Sequence, residues 1–151
     1  MKIRTDYVTN SSSSSFIVGF NNQEDIQDVL TNELPSYWSR SAIQSIVDDV
    51  NEGIVSKDEA RQIYRDNLYT YNVSFKGKNY WRMTTEEIRS EDYRQFVEGV
   101  KENWMRAFEE DLSEYDIVSI VTYEDHSDFG SEMEHNVMPG LDRTIRCISN
   151  H

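Results

Sequence analysis

Cysteine, proline, glycine and long apolar runs are all scarce in this chain. Cys147 is the only cysteine, so no internal disulfide can form. No apolar run approaches the ~18 residues that a membrane span needs. The residues after Met1–Arg4 do not form the apolar core of a secretory signal. The six glycines form no phosphate-binding loop. We therefore expect a cytoplasmic protein that does not contact a membrane.

Basic residues are also few: 15 Lys and Arg stand against 28 Asp and Glu, a net charge of −13 in 151 residues. Such a charge repels phosphate backbones and argues against direct nucleic-acid binding, whereas a basic protein surface remains a suitable partner. Most of the excess lies between Ala107 and Asp142, which contains 11 acids and no Lys or Arg. This uneven distribution marks the segment as a candidate contact surface.

Apolar periodicity predicts an α+β or α/β domain, single over residues 1–151, with about three layers around a small mixed sheet. Strands are predicted at Phe16–Phe20, Ile117–Tyr123 and Thr144–Ile148, the second of them central because it is almost continuously β-branched. The predicted helices begin after Asn22, near Ser41, after Ser56 in a capping box, after Ser90 as the longest helix, and at Ser131.

Residues 69–83 change to a period of two around the turn Lys76–Asn79, which predicts a peripheral β-hairpin. The same region concentrates rings and cations. They are Tyr64, Tyr69, Tyr71, Tyr80 and Trp81, with Arg61, Arg65, Lys76, Lys78 and Arg82 between them. The rings are expected to stack on their neighbours or to form a binding face.

The N-terminal stretch Lys2–Val18 reads K-I-R-T-D-Y-V-T-N-S-S-S-S-S-F-I-V. It resembles the N-terminal signature of a family of short proteins from Firmicutes and their phages, some of which also end in a strand and a terminal histidine. The resemblance covers these 17 residues and the end of the chain, and it brings no activity with it. It implies that Ser11–Ser15 belong to the fold and that the chain is of phage or mobile-element type.

Two groups of residues suggest a metal site or a catalytic nucleophile. Carboxylates and imidazoles cluster after the predicted central strand, where ligands gather in open sheets, and His151 or Cys147 could complete a site for Zn, Mn or Ca. The candidate ligands are Asp125, His126, Asp128, Glu134, His135 and His151, at spacings of no defined motif. The serines Ser11–Ser15 offer hydroxyls for nucleophilic catalysis, although backbone capping within a compact turn is the commoner use. Cys147 is predicted to be an inert core residue.

Two functions follow as alternatives. The first is a non-enzymatic acidic binding protein without a cofactor, which would inhibit a nucleic-acid-binding or defence protein of a host. Its contacts would be made by the aromatic hairpin or by the acidic segment, through Glu109, Glu110, Asp111, Glu114, Glu124, Asp125 and Asp128. Carboxylates on a folded surface can occupy a groove that otherwise binds phosphates. The second is a small metal-assisted hydrolase, or another enzyme, built on the Asp and His cluster.

Overall fold

The computed structural model describes residues 13–124 and 127–149 as an α+β fold with a four-stranded sheet. The strands are β1 (Ser13–Phe20), β2 (Ile54–Val55), β3 (Ile117–Glu124) and β4 (Thr144–Ser149). Their spatial order is β2-β3-β1-β4, and every neighbouring pair is antiparallel. The α+β class is thus confirmed, while the sheet is antiparallel rather than mixed.

Seven α-helices, a π-helix and a short 3₁₀ helix at Tyr80–Arg82 accompany the sheet among the described residues. They are α1 (Ile26–Glu33), α2 (Arg40–Glu52), α3 (Lys57–Asp66), α4 (Thr85–Ile88), α5 (Glu91–Leu112), α6 (Asp128–Glu132), the π-helix (Met133–Val137) and α7 (Met138–Gly140). Ser56 and Ser90 accept backbone hydrogen bonds at the starts of α3 and α5, as predicted. Asp25 rather than Asn22 caps α1, and Ser127 rather than Ser131 caps α6.

The two faces of β1 enter two separate cores, because successive side chains of a strand point to opposite sides. Phe16, Val18 and Phe20 pack with α1, α2 and the methionines Met133 and Met138. Ile17 faces the other way, into a core of β3 and β4 residues with Phe108 and others from α3 and α5. The sheet therefore lies between two helical layers, as the predicted three-layer arrangement requires.

The predicted peripheral hairpin shrinks to a single pair. Phe75 and Lys78 exchange two backbone hydrogen bonds across a turn in which Lys76 and Gly77 have φ of 51° and 80°. The turn is therefore in the predicted place, but the strands are not formed. Phe75 packs its ring on Tyr93 and Phe96 of α5, with centroid distances of 5.4 and 4.9 Å, and the chain beyond continues as a 3₁₀ turn at Tyr80–Arg82. Packing on the helix replaces strand pairing here.

No helix within the described ranges is long and apolar enough to cross a membrane.

Candidate functional sites: a polar cluster and an aromatic surface

The serine run enters the core instead of forming a linker. Ser13, Ser14 and Ser15 are the first three residues of β1, and all three are buried. The Ser14 hydroxyl donates to Oε1 of Glu134 at 2.6 Å, and the Ser15 and Thr122 hydroxyls are hydrogen-bonded to each other at 2.7 Å. Ser11 and Ser12 lie outside the described residues. For Ser13–Ser15, membership of the fold is confirmed.

Glu134 reaches the serines from the π-helix, whose wider turn places it against the start of β1. It is 4% exposed, and Nε2 of His135 lies 3.6 Å from its Oε2. The preceding helix, α6, packs closely against the end of β3: a Cβ at Gly130 would come within 1.9 Å of the Glu124 carbonyl oxygen. π-Turns are frequent at functional sites, so the contact of Ser14 with Glu134 qualifies as a candidate site.

Cys147 borders the same cluster. It is paired with Phe16 in the sheet, so it lies on the face that carries Ser14 and Glu134. The residue is exposed, which corrects the prediction of a core cysteine. Among the described residues β4 is the outermost strand, so its alternate positions are not all covered. Partial desolvation raises the pKa of the thiol; the nearby Ser14 hydroxyl opposes the rise, and the Glu134 charge adds to it. This environment does not favour the reactive thiolate.

The burial of Ser14 limits what this cluster can do chemically. A nucleophile must meet its substrate, yet Ser14 is 2% exposed and its hydroxyl is already engaged by Glu134. The bond instead ties the π-helix to β1 across 120 residues of sequence. A buried carboxylate held by a hydroxyl is a stabilising polar contact that fixes the position of the two elements.

The predicted metal ligands are only partly placed. Asp125, His126 and His151 lie outside the described residues. Of the others, Glu134 and His135 are adjacent, while Asp128 is exposed in the first turn of α6. Over residues 13–124 and 127–149, no three His, Cys, Asp or Glu side chains come together as a metal site would need. The metal site stays a prediction.

A double-mutant cycle tests whether Ser14 and Glu134 stabilise the fold. We expect Ser14→Ala to lower the free energy of unfolding by about 1–3 kcal/mol, because the buried Glu134 carboxylate loses a donor. Ser45→Ala, at an exposed position of α2, should change it by less than about 0.5 kcal/mol. Urea unfolding of Ser14→Ala, Glu134→Ala and the double variant measures the coupling, since each single variant removes one side of the hydrogen bond. A coupling near zero would contradict the role given to this contact.

The acidic segment does not form one surface. Glu109, Glu110 and Asp111 lie in the last turn of α5 and Glu114 just after it, whereas Glu124 is the last residue of β3 and Asp128 begins α6. Eight strand residues separate the two groups by about 23 Å. Of the first group, Glu109 pairs with Arg61 of α3 and Asp111 with Arg146 of β4, at 2.7 Å in the second case. These two acids join neighbouring elements, and the contact of the segment with a basic partner stays a prediction.

The rings of residues 67–83 form an exposed cluster, here called the aromatic surface: Tyr69, Tyr71, Tyr80 and Trp81. Tyr71 is its centre, with ring centroids 6.1 Å from Tyr69, 4.8 Å from Tyr80 and 5.7 Å from Trp81. Trp81 is 74% exposed, Tyr69 62% and Tyr71 42%. Tyr64, in contrast, stacks on Phe108 at 4.4 Å and belongs to the core.

The aromatic surface is also locally basic. Residues 67–83 contain Lys76, Lys78 and Arg82 and no acid, in a chain whose net charge is −13. Lys78 approaches Glu87 at 3.2 Å and Lys76 approaches Asp92 at 3.5 Å, both on the side of α4 and α5. Tyr, Trp and Arg are enriched in interaction hot spots and Lys is not, so the exposed rings fit that composition together with the exposed Arg82.

No family model, no curated protein and no solved structure matches this chain.

Proposed function

We propose that this protein is a non-enzymatic binding module that contacts a partner protein through the aromatic surface. The observation that carries the proposal is the group of four touching rings, three of them well exposed. Keeping Tyr and Trp rings in water is unfavourable, since each can bury roughly 150–250 Å². Contiguous exposed apolar patches accordingly mark interaction sites on soluble proteins.

The polar cluster formed by Ser14 and Glu134 is a less suitable contact site than the aromatic surface. The hydroxyl and carboxylate of that cluster are buried and bonded to each other, whereas the rings of the aromatic surface are turned to solvent. A partner therefore meets the second feature without rearrangement of the core. An inhibitor of a host protein, which the resemblance to phage proteins suggests, is one form that such a module takes.

Loss of the aromatic surface should abolish partner capture. We expect the triple variant Tyr69→Ala, Tyr71→Ala and Trp81→Ala to lose a partner that the wild-type chain captures from a Firmicute lysate. Each ring in a hot spot contributes about 2 kcal/mol, or roughly thirtyfold in affinity. Quantitative mass spectrometry of the captured proteins gives the measurement, at low and at high salt.

Tyr37→Ala is the matched control, because Tyr37 is 82% exposed but lies in the turn between α1 and α2, away from this cluster. Thermal unfolding of each variant should stay close to that of the wild type, since exposed side chains are removed. Equal capture by the wild type and the triple variant would overturn the proposal, as would a loss of capture in the control alone.

A further inference from the structure

We infer that the partner contributes an extended acidic segment that adds to the sheet beside β4; this inference rests on the proposed function. In the part of the chain that the structure describes, β4 pairs with β1 alone and is the last strand of the sheet. Alternate backbone groups of such a strand point outward, and another extended chain can bond to them. Addition of a strand to a sheet edge is a recurrent form of peptide recognition.

A groove beside β4 can hold a side chain of the added strand. A groove of about 310 Å³ runs along Cys147–Ser149 and is bordered on its other side by Leu68, Tyr69 and Trp104. Tyr69 belongs to both the groove and the aromatic surface, so one ligand can contact both. Pockets beside an augmented edge take the alternate side chains of the added strand and give specificity.

The strand carries little that would prevent such pairing. Thr144–Ser149 contains no proline and no acid, and its one charge, Arg146, is paired with Asp111. The Arg146 guanidinium also lies over the rings of Tyr64 and Phe108, at 5.7 and 5.9 Å from their centroids. It is therefore held over the α3 and α5 layer. Lysine and proline, two usual protections of an edge, are absent from Thr144–Ser149, and its one inward charge, that of Arg146, is paired with Asp111.

The positive charge of a neighbouring groove favours an acidic ligand. A second groove, of about 530 Å³, adjoins the first at Leu68 and is lined by the cations Arg65, Lys101 and Arg106. No ion pair involves these three cations within residues 13–124 and 127–149. Of the two acids in this groove, Glu98 is paired with Arg94 at 2.8 Å, and Glu102 offsets one of the three cations. The cations leave a local positive surface on an acidic protein, which complements carboxylates.

A defined peptide tests the inference. The probe is a fluorescein-labelled nonapeptide in which glutamate alternates with threonine around one central leucine, and its anisotropy is followed at about 10 mM salt, where charge pairs are least screened. We expect saturable binding that weakens at least about tenfold when lysine replaces glutamate or when alternate peptide amides are N-methylated. Hydrogen exchange should show new protection of amides within residues 144–148.

Two protein variants of equal net charge separate local from overall charge. Arg65→Glu with Lys101→Glu should weaken the acidic peptide at least about tenfold. Arg40→Glu with Lys57→Glu, at the first residues of α2 and α3, should change the affinity far less. Both pairs reverse two cations, so their long-range repulsion of the peptide is the same.

The inference is overturned by any of three results: no saturation up to about 1 mM peptide, equal binding of the lysine peptide, or β4 amides fully protected in the free protein. The third result would mean that another part of this chain, or a second copy, already covers the edge. Partner capture that depends on Trp81 while the peptide fails to bind would leave the proposed function standing and remove only the strand addition.

Discussion

Gly53→Ala is expected to lower the free energy of unfolding by about 3 kcal/mol, because there is no room for a side chain at this position. A Cβ on Gly53 would come within 2.2 Å of the Ile120 carbonyl oxygen and 2.9 Å of the Ser119 hydroxyl oxygen. Both atoms belong to β3, which is bonded on both edges. The close approach is itself fixed by hydrogen bonds: Ile120 N–H donates to Gly53 O at 2.9 Å, and the Ser119 hydroxyl donates to Val50 O at 2.6 Å.

Gly99→Ala is the matched control, with the opposite expected sign. Gly99 lies inside α5, and a Cβ there would meet nothing within 4 Å. Alanine should stabilise the helix by about 0.5–1 kcal/mol, because it restricts the unfolded chain and favours helical backbone. Urea unfolding of both variants gives the comparison. Equal effects of the two substitutions would contradict the steric reason given for Gly53.

Local patterns were sufficient for the main elements of the fold. The strands around Phe16 and Ile117 and the helix after Ser90 depend on residues close in sequence, and the structure confirms them. The β-hairpin predicted for residues 69–83 is wrong because alternating rings are equally compatible with packing on α5. Only the tertiary contact of Phe75 decides between a hairpin and that packing. Strand β2 has two residues and offers no periodicity to detect.

The candidate sites show where sequence reasoning stops. Ser14 and Glu134 both stood among the candidate residues, but under different chemistries, because 120 positions separate them and only the antiparallel sheet and the π-helix bring them together. Similarly, the charge count places Glu109 and Asp111 in an acidic segment without indicating their cationic partners on α3 and β4. The clustering of aromatic residues was visible in the sequence, whereas their exposure depends on tertiary packing.

Arg143→Ala is expected to lower the free energy of unfolding by about 2–3 kcal/mol, since it removes a buried cation that is hydrogen-bonded to two partly exposed carboxylates and a backbone carbonyl. The Arg143 guanidinium donates to both Glu33 oxygens at 2.6 and 3.1 Å, to Glu24 at 3.1 Å and to the Gly19 carbonyl at 3.0 Å. It also lies 4.8 Å from the centroid of the Phe20 ring. The residue thereby connects α1 and the start of β4 to the end of β1, and nothing in its sequence surroundings indicated this role.

A lysine at this position should recover only part of the loss, because its ammonium cannot reproduce the planar donor set that contacts two carboxylates and a carbonyl. Arg40→Ala is the control: Arg40 is exposed and has no ion pair among the described residues, so it should cost less than about 0.5 kcal/mol. If Arg143→Ala costs no more than this control, the network does not stabilise the fold.

The pH dependence of the Arg143→Ala effect separates its ionic part from packing. The Asn21 backbone N–H and then the Arg143 side chain lower the pKa of Glu24. A lowered folded-state pKa contributes stability above the unfolded pKa, and this contribution is lost as the pH falls through the folded value. The difference between wild type and Arg143→Ala should therefore shrink below about pH 4, where the Glu24 carboxyl becomes protonated. A difference that stays constant from neutral pH to pH ~3 would assign the effect to the packing of the guanidinium on Phe20 instead.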